Sequence, residues 1–108
     1  MSALMADDIV LWSPVSFEPF RGKEAVTRLM GILLQVFEDF RYTDELTGDG
    51  AHALVFRARV GDRELEGLDL IRDGDDGLID DFTVMVRPAS GLQALGAAVG
   101  AALAASAG

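Results

Sequence analysis

Four successive stretches between Arg41 and Arg87 carry apolar residues at alternate positions: Arg41 to Gly48, Ala51 to Val60, Arg63 to Arg72 and Leu78 to Arg87. A period of two is that of a half-buried strand. The breaks between them are short and rich in turn residues: Asp49-Gly50, Gly61-Asp62 and Asp73-Gly74-Asp75-Asp76-Gly77. Connections this short return the chain antiparallel to itself, because a parallel neighbour needs a crossover of about a dozen residues or more. The segment therefore reads as a meander of long strands, and a meander with one apolar face must be covered by something.

The cover is written on either side of it. Val26, Leu29, Met30, Leu33, Val36, Phe37 and Phe40 recur at three- and four-residue spacing, one apolar stripe on a helix opened by Gly22, with Glu24 in the dipole-favoured first turn. After Pro88 no charged residue follows, and an Ala-rich helix is predicted from about Ser90, with Leu92, Leu95, Val99 and Leu103 on one stripe. Gly96 and Gly100 would permit close backbone approach on a neighbouring face. This segment has too few large apolar residues to insert in a bilayer. At the front, Ala3 to Asp7 reads as the end of a helix, Ile9 to Ser13 as a strand closed by Pro14, and Val15 to Phe20 as a loop with at most a short strand. The expectation is one α+β domain over residues 1–108, with a mostly antiparallel sheet on a long helix.

Charge and composition narrow the function. The chain has 108 residues and a net charge of -9, from 18 acidic and 9 basic side chains. Nucleic-acid and anionic-membrane partners are not expected, because both need clustered Lys and Arg. There is no cysteine and a single histidine, His52, so thiolate and multi-histidine metal sites are excluded. No cofactor is expected. Asp7 and Asp8 arrive before any apolar run long enough for a signal peptide, so a cytoplasmic protein is expected.

Asp69 is the leading candidate for chemistry. It alternates with Leu65, Gly67 and Ile71, so its carboxyl points to the apolar face of its strand, where desolvation raises its pKa. Such a group can serve as a neutral donor or a general base; the bland alternative is a carboxyl hydrogen-bonded to a core polar group or turned to solvent. Asp80 shares the phase of Phe82, Val84 and Val86, but it and Asp81 read as a solvated strand start. His52 reads as exposed, with no carboxylate partner assignable from spacing. Asp73, Asp75 and Asp76 lack the loop and distal glutamate of a calcium site and read as turn residues. Trp12, Ser13, Phe20, Phe56, Leu65, Gly67, Phe82, Val84 and Val86 are the expected pocket lining, with Phe17 a further aromatic candidate. Arg57 and Arg59 fall on the opposite face, paired across strands with Glu64 and Glu66. Val55, Leu68, Leu70, Thr83 and Met85 share that outer face, whose mixed character suits a sheet-to-sheet homodimer.

Leu4-Met-Ala-Asp-Asp-Ile-Val-Leu-Trp-Ser-Pro14 followed by Phe20-Arg-Gly-Lys-Glu-Ala-Val26 resembles the opening of the nuclear transport factor 2-like superfamily, and Asp76-Gly77-Leu78-Ile79 entering the last strand is similar to its second half. The resemblance implies a strongly curved sheet around helices that leaves a conical pocket. Its members include ketosteroid isomerases, polyketide cyclases of the SnoaL-like kind, and domains without catalysis, so fold alone does not give function. The family's first helix is missing here, and the C-terminal helix is expected to take its place, from its own chain or a partner, or else to lie outside. By resemblance, Leu68-Asp69-Leu70-Ile71-Arg72 looks like the ketosteroid-isomerase strand bearing a protonated aspartate. The isomerase base, an aspartate before the first strand's proline, is replaced by Ser13, and its tyrosine belongs to the missing helix, a place Tyr42 does not match. Steroid isomerisation is therefore not expected. The resemblance implies either a small-molecule-binding SnoaL-like domain with an apolar pocket and acid/base chemistry through Asp69, or a non-catalytic dimeric or protein-interaction domain whose cavity is packed.

Overall fold

Each alternating stretch is a strand in the computed structural model, which describes residues 4–107. The elements are β1 (Met5–Trp12), β2 (Phe20–Arg21), α1 (Lys23–Val36), β3 (Glu38–Gly48), β4 (Ala51–Val60), β5 (Arg63–Asp73), β6 (Ile79–Arg87) and α2 (Ala89–Ala107). The last four strands pair antiparallel in sequence order. β1 then joins β6 in parallel, giving one curved, unclosed sheet in the order β2-β1-β6-β5-β4-β3. The turn glycines Gly50, Gly61 and Gly77 have positive φ, the conformation that tight hairpins demand.

Both helices lie against strands of this sheet and against each other. The core between them gathers Ile9 and Leu11 of β1, Val26, Leu29 and Ile32 of α1, Phe56 and Ala58 of β4, Leu65 and Ile71 of β5, Phe82 and Val84 of β6, and Leu95 and Val99 of α2. α2 contacts α1, β4, β5 and β6 of its own chain, so its stripe is internal cover. The close approach falls at Gly91, where a Cβ would lie 2.8 Å from Leu65 Cβ and 3.0 Å from the Glu64 carbonyl oxygen. Gly96 meets only Val15, at 3.4 Å, and Gly100 meets nothing within 4 Å.

Three expectations are corrected. The described part of the predicted opening helix end, Leu4 to Asp7, is a short 3-10 turn at Leu4 and then strand, while Ala3 lies outside the described residues. Met5 pairs with Ile79, and a register shift before Val10 leaves Asp7 and Asp8 exposed while Met5, Ala6 and Ile9 are buried; sheet pairing overrides the local reading. The long-helix stripe does not continue to Phe40. Phe37 turns extended (φ -72°, ψ 135°), its N–H donating to the Leu33 carbonyl, and Phe40 belongs to β3. On the outer face Arg57 pairs with Glu66 at 3.2 Å as expected, but Arg59, in register with Glu64, turns to Asp39 at 2.9 Å and Glu38 at 3.4 Å. Asp39 holds that position from a bulge in the left-handed region, φ 55°, which Asp tolerates better than most residues. Among the described residues no helix is long and apolar enough to cross a membrane.

Candidate active site

Where α1 rises from the sheet, a hollow of about 430 Å³ opens beneath it. Thr27, Met30, Gly31, Leu33 and Leu34 come from the helix and Phe37 from its cap. Every strand but β2 supplies the rest: Met5 and Leu11, Phe82 and Val84, Asp69, Phe56, and Phe40 and Tyr42. The curvature that a meander of twisted strands adopts keeps the helix from filling the sheet's whole apolar face.

Asp69 sits in the wall of this hollow. Its strand alternates buried and part-buried residues, and Asp69 takes a buried position between Gly67 and Ile71, 8% exposed. Its cross-strand neighbours are Leu54 on β4 and Val84 on β6, neither of which offers a hydrogen bond. No described residue hydrogen-bonds to the carboxyl or pairs with it. Its oxygens are not sealed in protein either, since no enclosed side-chain oxygen or nitrogen among the described residues lacks a partner; they face the hollow. Loss of water without compensation pushes the Asp69 carboxyl up from 3.8 to about 7.

Aromatic rings form the wall beside it. Phe56 stacks on Phe40 with centroids 5.0 Å apart and 25° between planes, and Phe37 meets Phe56 edge-on at 5.6 Å. Tyr42 stands edge-on to Phe40 at 5.0 Å. Gly67 makes the arrangement possible. A Cβ there would lie 2.0 Å from Phe56 Cζ, so the Phe56 ring lies across bare backbone next to Asp69. Tyr42 is the second ionisable group of the lining, its hydroxyl raised by burial and then by the charge of Asp69. Phe40 and Tyr42 remain partly exposed, at 36% and 55%, and with the exposed Leu34 they mark the mouth.

Of the residues singled out in the sequence, Asp69, Phe56, Phe82 and Val84 meet in this lining. The others lie outside it, Gly67 included, which underlies the Phe56 ring and borders the outer face. Trp12, 41% exposed, donates its Nε1–H to Asp81 at 2.7 Å. Ser13 lies beyond the end of β1 and accepts a hydrogen bond from the Val15 N–H at 3.2 Å. Phe20 packs on the core from β2, Leu65 is buried beneath Gly91, and Val86 borders the outer face beside Met85. Phe17 is 94% exposed. His52 has a partner after all, Asp73 at 3.1 Å, because β4 and β5 align these residues on one face at the far end of the sheet. Sequence reasoning missed Tyr42 and Phe40 because β3 is exposed along its whole length, and a bulge between Tyr42 and Asp44 breaks the alternation that would have assigned their face. Among the described residues no cluster of His, Cys, Asp and Glu is placed to hold a metal.

No protein-family model and no curated protein matches this sequence. Among solved structures the chain is similar to a steroid delta-isomerase from Pseudomonas aeruginosa, 49% identical with a TM-score of 0.92 over 96% of this chain and 77% of that one. It is also similar to a protein conserved in bacteria with a cystatin-like fold from Silicibacter pomeroyi DSS-3, 35% identical with a TM-score of 0.89 over 93% and 71% of the two chains. An NTF2-like protein from Mesorhizobium loti, 18% identical with a TM-score of 0.71 over 81% and 75%, shares the fold.

Proposed function

The chain belongs to the nuclear transport factor 2-like superfamily, and we propose that within it the protein is a small-molecule-binding domain whose ligand enters the apolar hollow and meets Asp69. One observation carries the reading: a carboxyl 8% exposed, with no partner among the described residues, opens into about 430 Å³ of otherwise mainly apolar space. A hollow of this size suits a small organic molecule, and a few polar groups, here Asp69 with the Thr27 and Tyr42 hydroxyls, are how apolar sites orient one. A carboxyl titrating near neutrality is also matched to giving and taking a proton at working pH. Any turnover at this site runs through Asp69, as in cyclase- and isomerase-like reactions that need one acid/base group. The name of the Pseudomonas relative, steroid delta-isomerase, is not carried over, because by resemblance the proton-abstracting base stands where this chain has Ser13, a neutral hydroxyl without a base of its own. We further propose that the protein is a homodimer through the outer sheet face, where Val55, Leu68 and half-exposed Met85 lie beside Arg87 and Glu66.

The test is fluorescence titration with N-phenyl-1-naphthylamine, a neutral apolar probe, in the wild type and in Gly31→Phe. Gly31 lines the hollow, and a Cβ there meets nothing within 4 Å, so the larger side chain enters the space without breaking the helix. Saturable binding by the wild type, weakened at least about tenfold in Gly31→Phe, is the expected result. Equal binding by both proteins, or none by either, would favour the alternative of a non-catalytic domain with a cavity that takes no ligand.

A further inference from the structure

We propose that the ligand of this hollow is an apolar amine, its ammonium group paired with the Asp69 carboxylate and its apolar part held by a lining that includes Phe40, Tyr42 and Phe56. The inference rests on the small-molecule reading above and names the chemical class it takes.

Three observations converge on a cation. First, among the described residues of the lining Asp69 is the one acidic side chain, and none is Lys, Arg or His. A carboxylate in apolar surroundings either takes a proton or is stabilised by a paired cation. Among the described residues none supplies that cation, which leaves the place open to a ligand's. Second, the hollow that Asp69 opens into is also lined by a linked set of rings, Phe37, Phe56, Phe40 and Tyr42, each within 5.6 Å of the next. Aromatic side chains are favourable neighbours for a cation, most strongly where water is excluded. Third, the chain carries a net charge of -9, a field that gathers cations and repels anions on approach.

A neutral oxygen ligand accepting a hydrogen bond from protonated Asp69 is the competing chemistry, and the two differ in the sign of their pH dependence. Tyr42 on β3 is the other titratable group facing Asp69 across the hollow; β1, β4, β6 and α1 contribute only apolar side chains, Gly31 and the Thr27 hydroxyl. His52, on the same face of β4, is paired with Asp73 and outside the lining. With the Asp69 titration near 7, requiring the ionised form costs an amine only about twofold in affinity at neutral pH. At pH 5.5 the ionised fraction falls, and amine affinity drops about thirtyfold relative to pH 8. A primary alkylamine itself stays charged to about pH 10. An oxygen acceptor shows the reverse trend.

The experiment compares 2-(1-naphthyl)ethylamine, 2-(1-naphthyl)ethanol and 1-acetylnaphthalene by calorimetric titration at pH 5.5 and 8, in the wild type and in Asp69→Asn. The expected result is amine binding at pH 8 at least about tenfold tighter than the alcohol or the ketone, weakening as pH falls, with the preference lost in Asp69→Asn. Proton release on amine binding near pH 6.5, read from the dependence of heat on buffer, is the accompanying signature in the unmutated protein and does not rely on the variant folding. Tighter binding of the ketone or alcohol, strengthening toward pH 5.5, overturns the amine assignment and leaves the small-molecule reading standing. Failure of all three to bind overturns both.

Discussion

Replacing Asp69 by Asn is expected to stabilise the protein by an amount that grows with pH. The unfolded carboxyl titrates near 3.8, and in the fold burial raises it to about 7. A group whose folded value is raised binds its proton more tightly in the native state, so the stability it contributes at low pH is lost as pH climbs between the two values. At about 1.4 kcal/mol for each pH unit, the ionised carboxylate costs the folded state about 4 kcal/mol at pH 8, of which about 2–3 kcal/mol is lost between pH 5 and pH 8. Asn has nearly the shape of the protonated acid and does not titrate. The measurement is urea unfolding of both proteins at pH 5 and pH 8. With an m-value of roughly 1–2 kcal/mol/M, the gap between their midpoints should widen by about 1–3 M toward alkaline pH. Taking the difference cancels the titration of the other acidic residues, which both proteins share. A gap that does not change with pH would show that Asp69 carries an ordinary carboxyl in the folded state and would refute the reasoning.

Gly67→Ala should destabilise by about 1–3 kcal/mol, because the new methyl group displaces the Phe56 ring; a fall in thermal midpoint of roughly 5–15 °C is the readout. Gly31→Phe should keep the wild-type thermal midpoint or raise it, since Gly costs a helix interior up to about 1 kcal/mol and nothing obstructs the added side chain. Met85→Glu, on the outer face, should leave the monomer fold intact and convert a dimer to a monomer in light scattering, with circular dichroism unchanged; a variant still dimeric would place the interface elsewhere.

The meander was legible because its strands obey period two and its turns carry Asp and Gly where positive φ is needed. The face occupied by Asp69 followed from the same rule, since Leu65, Gly67 and Ile71 bury with it. What failed were places where a longer-range contact outweighed local pattern. Met5 and Ala6 join β1 because β6 offers them a strand to pair with. Ile32, at the border of the predicted stripe, is buried because α1 packs against α2 as well as β1, which widens its apolar face. Trp12, Phe20 and Val86 were assigned to the pocket on apolar character and strand phase, neither of which specifies where along a curved sheet the helix leaves room. Tyr42 was overlooked for the opposite reason: on an exposed edge strand nothing local marks the side chain that leans back over the hollow.

The energetics of Asp69 bear on why the residue stands there. Leu or Val at this position would match Leu54 and Val84 across the sheet and would avoid the roughly 4 kcal/mol that the ionised acid costs at neutral to alkaline pH. That is a large share of the stability a domain of this size commands, commonly 5–15 kcal/mol in total, by the usual estimate of roughly 0.05–0.15 kcal/mol per residue. A structural carboxyl normally recovers such a cost through hydrogen bonds made in the protein, and among the described residues Asp69 makes none. A ligand that enters the hollow and pairs with the charge returns the lost energy as binding. On this argument saturating amine should raise the unfolding midpoint of the wild type more at pH 8 than at pH 5.5, and should leave that of Asp69→Asn nearly unmoved.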